Sequence, residues 1–337
     1  MTISRRSNRW LAGLSLALFV LILLSVAWGR YGVPVGQVVR ILLAEVFSLP
    51  QTWTAQMAAA VWNIRLPRVL MACLVGCSLS AAGTAYQTVF RNPMAAPDIL
   101  GASSGACFGA ALAILLGLPR FGIAVLAFVM SLASVGLVYA VGRRTHGSRI
   151  VNLLLAGIMV GSLFSAGTSA VKLVADPGDQ LPAITYWLMG SLNGTEIKDV
   201  GFVLLPMLLG LVPLFLLRWR INLLTLGEDE ARSMGVSPSR LRLVTTLCAT
   251  LLTAASVSAS GMIGWVGLVI PHLCRKIVGG DCRRLLPCSM LLGAVFLLLC
   301  DDVSRNLLAT EIPIGILTAL IGAPFFLYLM TRKEHIL

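Results

Sequence analysis

The sequence is short of charge and nearly bare of residues that carry chemistry. Of its 337 residues, 12% are Asp, Glu, Lys or Arg, against roughly 25% in a soluble globular chain. With a mean hydropathy of +0.90, it has too little polar surface to face water on all sides, and the bilayer is its natural solvent. The only lysines are Lys172, Lys198, Lys276 and Lys333, and none follows a glycine. The phosphate-binding pattern G-x-x-x-x-G-K-[ST] is therefore missing, which excludes ATP hydrolysis by a P-loop. H-E-x-x-H does not occur, and the three histidines, His146, His272 and His335, are far apart. No metal site or catalytic triad is expected. The eight cysteines contain no C-x-x-C pair, so they build no disulfide framework; in apolar runs a thiol behaves as a small hydrophobe. Cys73 and Cys77 lie four apart on one helix face, which suits packing, with metal ligation as the alternative.

What is present in abundance is apolar sequence, 58% of the chain, with a formal charge of +12. The basic residues sit in short clusters between apolar runs rather than on one face. That excludes a nucleic-acid interface and points to control of membrane topology by the positive-inside rule. Ten spans are predicted, near 10–28, 66–90, 99–118, 121–141, 150–173, 200–217, 241–260, 262–279, 285–304 and 313–331. The first follows Arg5, Arg6 and Arg9; it is longer than a signal-peptide core and no A-x-A site follows, so an uncleaved span is expected. The stretch 241–279 is too long for one crossing, and Gly261 and Gly264 are placed to fold it into a hairpin. With both termini in the cytoplasm, 18 of the 26 basic residues fall inside. Arg30, Arg40, Arg65, Arg68, Arg120, Lys172, Lys198 and Arg305 fall outside, a bias in the expected direction.

Two outer segments read as short helices. In 34–47, Val35, Val38, Val39, Leu42, Leu43 and Val46 follow helical spacing after Pro34. In 181–190, Pro182 starts and Gly190 ends a helix beside the mouth of a pathway. Both fit either a packed cap or a gate.

Ion-coupled transport needs ionisable groups near the midplane. Here Asp98, Asp176, Asp179, Asp281, Asp301 and Asp302 fall at span ends, so the driving energy is expected to come from another molecule. The loop 218–240, RWRINLLTLGEDEARSMGVSPSR, is the largest on the cytoplasmic side. Thr225 and Glu228 have capping-box spacing, the acidic run Glu228, Asp229 and Glu230 suits a first helical turn, Gly235 ends the helix, and Ser237-Pro238 caps the next span. A two-turn helix is marginal alone in water, so a docking helix for a soluble partner is favoured over a solvated connector. Arg65, Arg68 and Arg305 mark the outer rim, where they suit either lipid headgroups or the carboxylates of a partner protein.

Seven motifs then occur in order: RLPR (65–68), AAGTAYQ (81–87), RNPMAAPDILG (91–101), GEDEARSMGV (227–236), GWVGLVIPH (264–272), LLPCS (285–289) and PIGILTALIGAPFF (313–326). Together they resemble the FecCD-type permeases of bacterial ABC importers for ferric siderophores, haem and vitamin B12. One departure is Cys282, where the family more often has histidine; little consequence is expected, because the position is read as a cytoplasmic turn. The resemblance implies an all-α integral inner-membrane protein of about ten transmembrane helices, dimeric with itself or a paralogous permease, with the pathway at the dimer axis. It implies two ATP-binding subunits below, which use ATP and Mg, and a periplasmic substrate-binding protein above. This chain is expected to bind no cofactor. By the same resemblance, Leu226, Gly227, Glu228, Asp229, Glu230, Ala231, Arg232 and Gly235 couple to the ATPase. Arg65, Arg68 and Arg305 meet the binding protein, Asn92 and Met94 narrow the cytoplasmic end, and the fifth span with the short helix after it flanks the outer gate. Readings from other classes are an ion-coupled secondary transporter and a membrane-embedded transferase using Asp301 and Asp302.

Overall fold

The computed structural model describes residues 2–29, 31–45, 47, 50–144, 149–308 and 310–331. Arg30, Val46, His146, Lys333 and His335 lie outside them. Every regular element among the described residues is helical. In chain order these are α1 (Thr2–Ala27), α2 (Val35–Leu43), α3 (Ala55–Ala59), a π-helical turn (Ala60–Arg65), α4 (Leu66–Val89), a 3-10 turn (Pro97–Leu100), α5 (Ala102–Leu115), α6 (Arg120–Gly142), α7 (Arg149–Val174) and α8 (Gln180–Leu188). Then come α9 (Ile197–Leu223), α10 (Glu228–Ser233), α11 (Pro238–Ser260), α12 (Val266–Val278), α13 (Cys282–Asn306) and α14 (Ile314–Thr331). Seven helices among the described residues are long and apolar enough to cross a membrane, and α5 and α14 are shorter apolar helices.

The centre of the bundle is α4, which packs against α9, α11, α12 and α13. Helices in lipid gain little from apolar burial against one another, so close contact through small residues holds them. Gly76 of α4 faces the backbone of Gly293 on α13, and Gly83 faces the backbone of Gly267 on α12; a Cβ at either glycine would overlap the opposing carbonyl. Two threonine hydroxyls of α4 are satisfied within the helix. Thr84 and Thr88 donate to the carbonyls of Ser80 and Thr84, and Tyr86 and Thr250 share a 2.8 Å hydrogen bond between α4 and α11.

The helix that leads into α4 begins earlier than the apolar run suggested. Thr54 caps it by accepting from the Met57 N–H at 3.2 Å, and the chain stays helical from Ala55 to Val89. The π turn has a chemical cause. Pro67 has no N–H to offer and its ring crowds the preceding turn. The register loosens there, and the N–H of Leu66 bonds to the carbonyl of Val61, five residues back. The outer helix α2 stops at Leu43, with Val38 and Ile41 as its buried contacts.

Three segments meet where α8 ends. Gly190 has φ +75° and Gly261 has φ +68°, and each packs against backbone of the other turn with no room for a Cβ. Ser191 N–H donates to Ser260 O at 2.8 Å, and Ile314 N–H donates to Gly190 O at 2.9 Å. The turn between α11 and α12 also holds Trp265 in the left-handed region at φ +70°, with its ring against Gly322 and Phe326 of α14.

Candidate functional site

At one end of the bundle, α10 and the loops around it meet the end of α4. The backbone of α10 is closed by Met234 N–H bonding to Glu230 O and Gly235 N–H bonding to Arg232 O, with Gly235 at φ +77°. Asp229, Glu230, Arg232 and Leu226 are exposed, while Ala231 is fully buried and pins the helix to the bundle. The expected capping box is not formed. Thr225 Oγ1 instead donates to the Asn222 carbonyl at 2.7 Å, leaving Gly227 at the cap position with no side-chain hydrogen bond. Ser237 stands at the cap of α11, again without a side-chain hydrogen bond.

Arg91 joins this loop to the segment that follows α4: its Nε donates to the Leu224 carbonyl at 2.8 Å. Asn92 comes next. Its Oδ1 accepts from Met94 N–H at 2.9 Å, and its own N–H returns to Gln87 O. Met94 is left exposed, and the same segment runs on to Ile99, whose carbonyl packs on Gly157 of α7. Gln87 is held from both sides, donating to the carbonyls of Gly267 and Leu268 and accepting from Arg275. Arg91 opens the motif RNP, but its acceptor, a backbone carbonyl 133 positions away, has no sequence signature.

Cys282 is not in a turn. It is the first residue of α13, buried, with Sγ 3.4 Å from Thr88 Oγ1, and its N–H donates to Asn222 Oδ1 at 3.2 Å. A larger imidazole there would press on α4. Asp281 caps α13 by accepting from the Arg283 N–H at 3.0 Å. The Arg283 guanidinium beside it holds its carboxyl below the usual carboxylate range.

At the opposite end lie Arg65, Arg68 and Arg305, and they do not form a free rim. They are 5%, 5% and 8% exposed. Arg65 Nη1 donates to the carbonyls of Val26 and Ala27 at 2.9 Å each, and Nη2 to that of Tyr31. Arg68 binds Asp301 through Nε at 2.9 Å and Glu311 through Nη1 at 3.0 and 2.9 Å. Arg305 pairs with Asp301 at 3.2 Å and with Asp302, and Ser25 bridges Asp302 and Arg305 at 2.6 and 2.7 Å. Two guanidiniums, those of Arg68 and Arg305, thus face three carboxylates, while that of Arg65 is held by three backbone carbonyls. Burial forces this arrangement, because an unpaired charge away from water costs several kcal/mol. The aspartates are structural partners of the arginines, which removes the geometric basis for a transferase centre. A groove of about 210 Å³ remains over the cluster, bordered by Tyr31, Ile64 and Glu311. Glu311 and Ser25 were not among the expected site residues; Glu311 is a lone carboxylate in the connection after α13, and that isolation is its one sequence cue.

Between these ends, α7 presents Leu155, Ile158, Met159 and Leu163 outward, a bulky apolar face in which Ser162 and Ser169 bond to their own helix. Behind α8 lies a cavity of about 450 Å³, walled by Trp187, Phe202 and Ser258, with an Arg120–Asp199 contact of 3.5 Å at its border. Cys73 and Cys77 pack against the apolar core, and no group of three His, Cys, Asp or Glu among the described residues could hold a metal ion.

A family model described as the FecCD transport family matches residues 17–332. The chain belongs to the FecCD transport family. This FecCD permease is 40% identical over 96% of its length to the molybdate import system permease MolB of Haemophilus influenzae, covering 96% of that protein. It is 43% identical to the cobalamin import permease BtuC of Halobacterium salinarum, over 86% of this chain and 76% of that one. Among solved structures, it matches an inward-facing ABC transporter assigned to the metal-chelate type, with TM-score 0.85, 39% identity, and coverage of 96% of this chain and 99% of that one. The FecCD permease is accordingly an all-α, multi-pass membrane subunit of an ABC importer, in which the membrane path and not catalysis is its contribution.

Proposed function

We propose that this permease carries a metal chelate across the bacterial inner membrane by alternating access, with both termini cytoplasmic and ten crossings. Two copies, or this chain and a paralogue, enclose the pathway, with the apolar face of α7 and the helix α8 beside its outer mouth. Two ATP-binding subunits supply ATP and Mg chemistry at the α10 end, and this chain binds no cofactor. A periplasmic binding protein docks over the Arg65, Arg68 and Arg305 cluster, where the groove edged by Glu311 is the accessible part. Relatives named for cobalamin and haemin transport support a cargo in the class of bulky metal complexes, and the relative named for molybdate makes a small oxyanion the competing cargo.

The single observation that carries the coupling reading is the contact from Arg91 to Leu224. It ties the loop bearing α10 to the loop bearing Asn92 and Met94. A push on α10 reaches the narrow end of the pathway through one hydrogen bond and a few residues of backbone. Replacing Glu228, Asp229 and Glu230 with lysine tests this. Substrate import should fail while the purified ATPase subunits keep their own hydrolysis. Normal substrate-stimulated hydrolysis and import in the triple variant would overturn the coupling role. Binding of the cognate periplasmic protein to iron chelates, haem, cobalamin and molybdate, measured side by side, identifies the cargo.

A further inference from the structure

A second groove, of about 340 Å³, opens between the end of α9 and the start of α11, with Met234, Gly235 and Val236 from the end of α10 on one wall. Its lining includes Leu217, Trp219, Arg220, Ser237, Arg240 and Val244. Other cations at this end are occupied: Arg218 sits 3.9 Å over the Phe215 ring, Arg91 holds Leu224, and Arg232 contacts Asp229 at 3.7 Å. Arg220 and Arg240 are exposed. Among the described residues, neither has a carboxylate within the 4.0 Å of an ion pair. Two guanidiniums thus line one concave site, and among the described residues neither is paired with a carboxylate.

The surroundings say what kind of anion fits. Trp219 is 51% exposed, and the apolar wall continues away from the charged end along exposed Leu216, Val244, Leu243 and Leu247. The polar part is therefore confined to the helix ends, and the apolar part runs along the outward faces of two membrane-crossing helices. A tryptophan at that junction matches the headgroup level of a bilayer. Paired guanidiniums suit phosphate oxygens, and basic pockets between membrane helices select anionic lipid headgroups. A free phosphate ion would use the arginines but leave the apolar wall without purpose. We propose that this groove binds an anionic phospholipid, with Arg220 and Arg240 on the phosphodiester, the Ser237 hydroxyl beside it, and the acyl chains along Leu216 and Val244. The inference needs only that this end of the bundle lies at a membrane surface, and is independent of the cargo.

Bromolipid quenching tests it on the full-length protein in phosphatidylcholine vesicles. The vesicles carry the same fraction of brominated phosphatidylglycerol or brominated phosphatidylcholine, and the Trp219 signal is isolated by subtracting the Trp219→Phe variant. Brominated phosphatidylglycerol should quench Trp219 several-fold more strongly than brominated phosphatidylcholine. The double variant Arg220→Gln, Arg240→Gln should abolish that preference while total quenching of the other tryptophans is unchanged. That unchanged background shows the variant is folded and inserted. Equal quenching by the two lipids in the unaltered protein, or a preference that survives in the double variant, overturns the proposal. Loss of the preference on adding saturating inorganic phosphate at constant ionic strength would assign the arginines to a free anion, and also overturns it. Native mass spectrometry gives an independent readout: retained phosphatidylglycerol per chain should fall in the double variant, and unchanged retention counts against the site.

Discussion

Arg91 donates from Nε to the carbonyl of Leu224 at 2.8 Å, and it does so from a left-handed backbone at φ 49°. A non-glycine residue in that region carries about 1–2 kcal/mol of strain. The strained turn brings the chain sharply out of α4 and keeps the side chain directed at the loop before α10. A hydrogen bond from a charged donor contributes ~1.5–3 kcal/mol, so the contact offsets the strain and makes the two loops move as one. Arg91→Gly relieves the backbone but loses the hydrogen bond, so stability should change by no more than about 1–2 kcal/mol, while import per ATP hydrolysed should fall by about tenfold, the equivalent of ~1.4 kcal/mol. Arg91→Lys should retain part of the coupling. Transport and hydrolysis measured together in proteoliposomes decide it, and an unchanged ratio in Arg91→Gly would remove this contact from the mechanism.

The arginine–aspartate cluster makes the opposite kind of prediction, one of stability. Arg68 and Asp301 are 6% and 0% exposed and meet at 2.9 Å. Removing one member of a buried pair leaves the other charge stranded, at about 3–5 kcal/mol. Asp301→Asn and Arg68→Met should each lower the thermal midpoint and yield sharply in detergent. The double variant Arg68→Met, Asp301→Leu should recover part of the loss, because the 68–301 pair leaves no charge to desolvate while Glu311 and Arg305 each lose one partner. A single Asp301→Asn as stable as the parent would show that the cluster is not holding this end of the bundle together.

This cluster also shows where reading the sequence stops. The end of the helix that carries Arg305 lies near the end of an apolar run, and the chain breaks at Gly261 inside 241–279. The pairing of residue 68 with residues 301 and 311 does not follow, because it spans 233 and 243 positions and depends on how α4 and α13 pack. The same limit applies at Thr225, where the capping-box spacing is present but a carbonyl three residues back at Asn222 competes successfully for the hydroxyl. Short-range competition of this kind is what makes Ser and Thr ambiguous cap signals. The helix before Leu66 was missed because Ala55–Ala59 carries little apolar periodicity, although Thr54 offered a usable cap.

Glycine positions separate packing from mere composition. Gly83 meets the Gly267 backbone, whereas Gly136 on α6 has open space where a Cβ would stand. Gly136→Ala should be neutral or stabilising by up to ~1 kcal/mol through helix propensity. Gly83→Ala should cost about 1–3 kcal/mol by forcing α4 and α12 apart. Thermal unfolding of the two alanine variants in one detergent compares them directly, and equal midpoints would show that α4 and α12 do not rely on this approach.

Asp281 supplies a pH-dependent test at the α10 end. Its carboxylate caps α13 and is bonded by Arg283 Nε at 2.9 Å, and that guanidinium, the largest cause, lowers its pKa in the folded chain. A depressed folded pKa means the carboxylate stabilises the fold above the unfolded value of about 3.9. The contribution is lost as pH falls through the lower folded value. Asp281→Asn keeps a cap acceptor and loses the charge, while Asp281→Ala loses both, at about 1 kcal/mol for the cap. At pH 7 the thermal midpoints should fall in the order parent, Asn variant, Ala variant. As the pH is taken from about 5 to about 3, the gap between parent and Asn variant should close while the gap between Asn and Ala variants persists. A parent–Asn gap that stays constant over that range would mean that the ion pair with Arg283 contributes nothing to the start of α13.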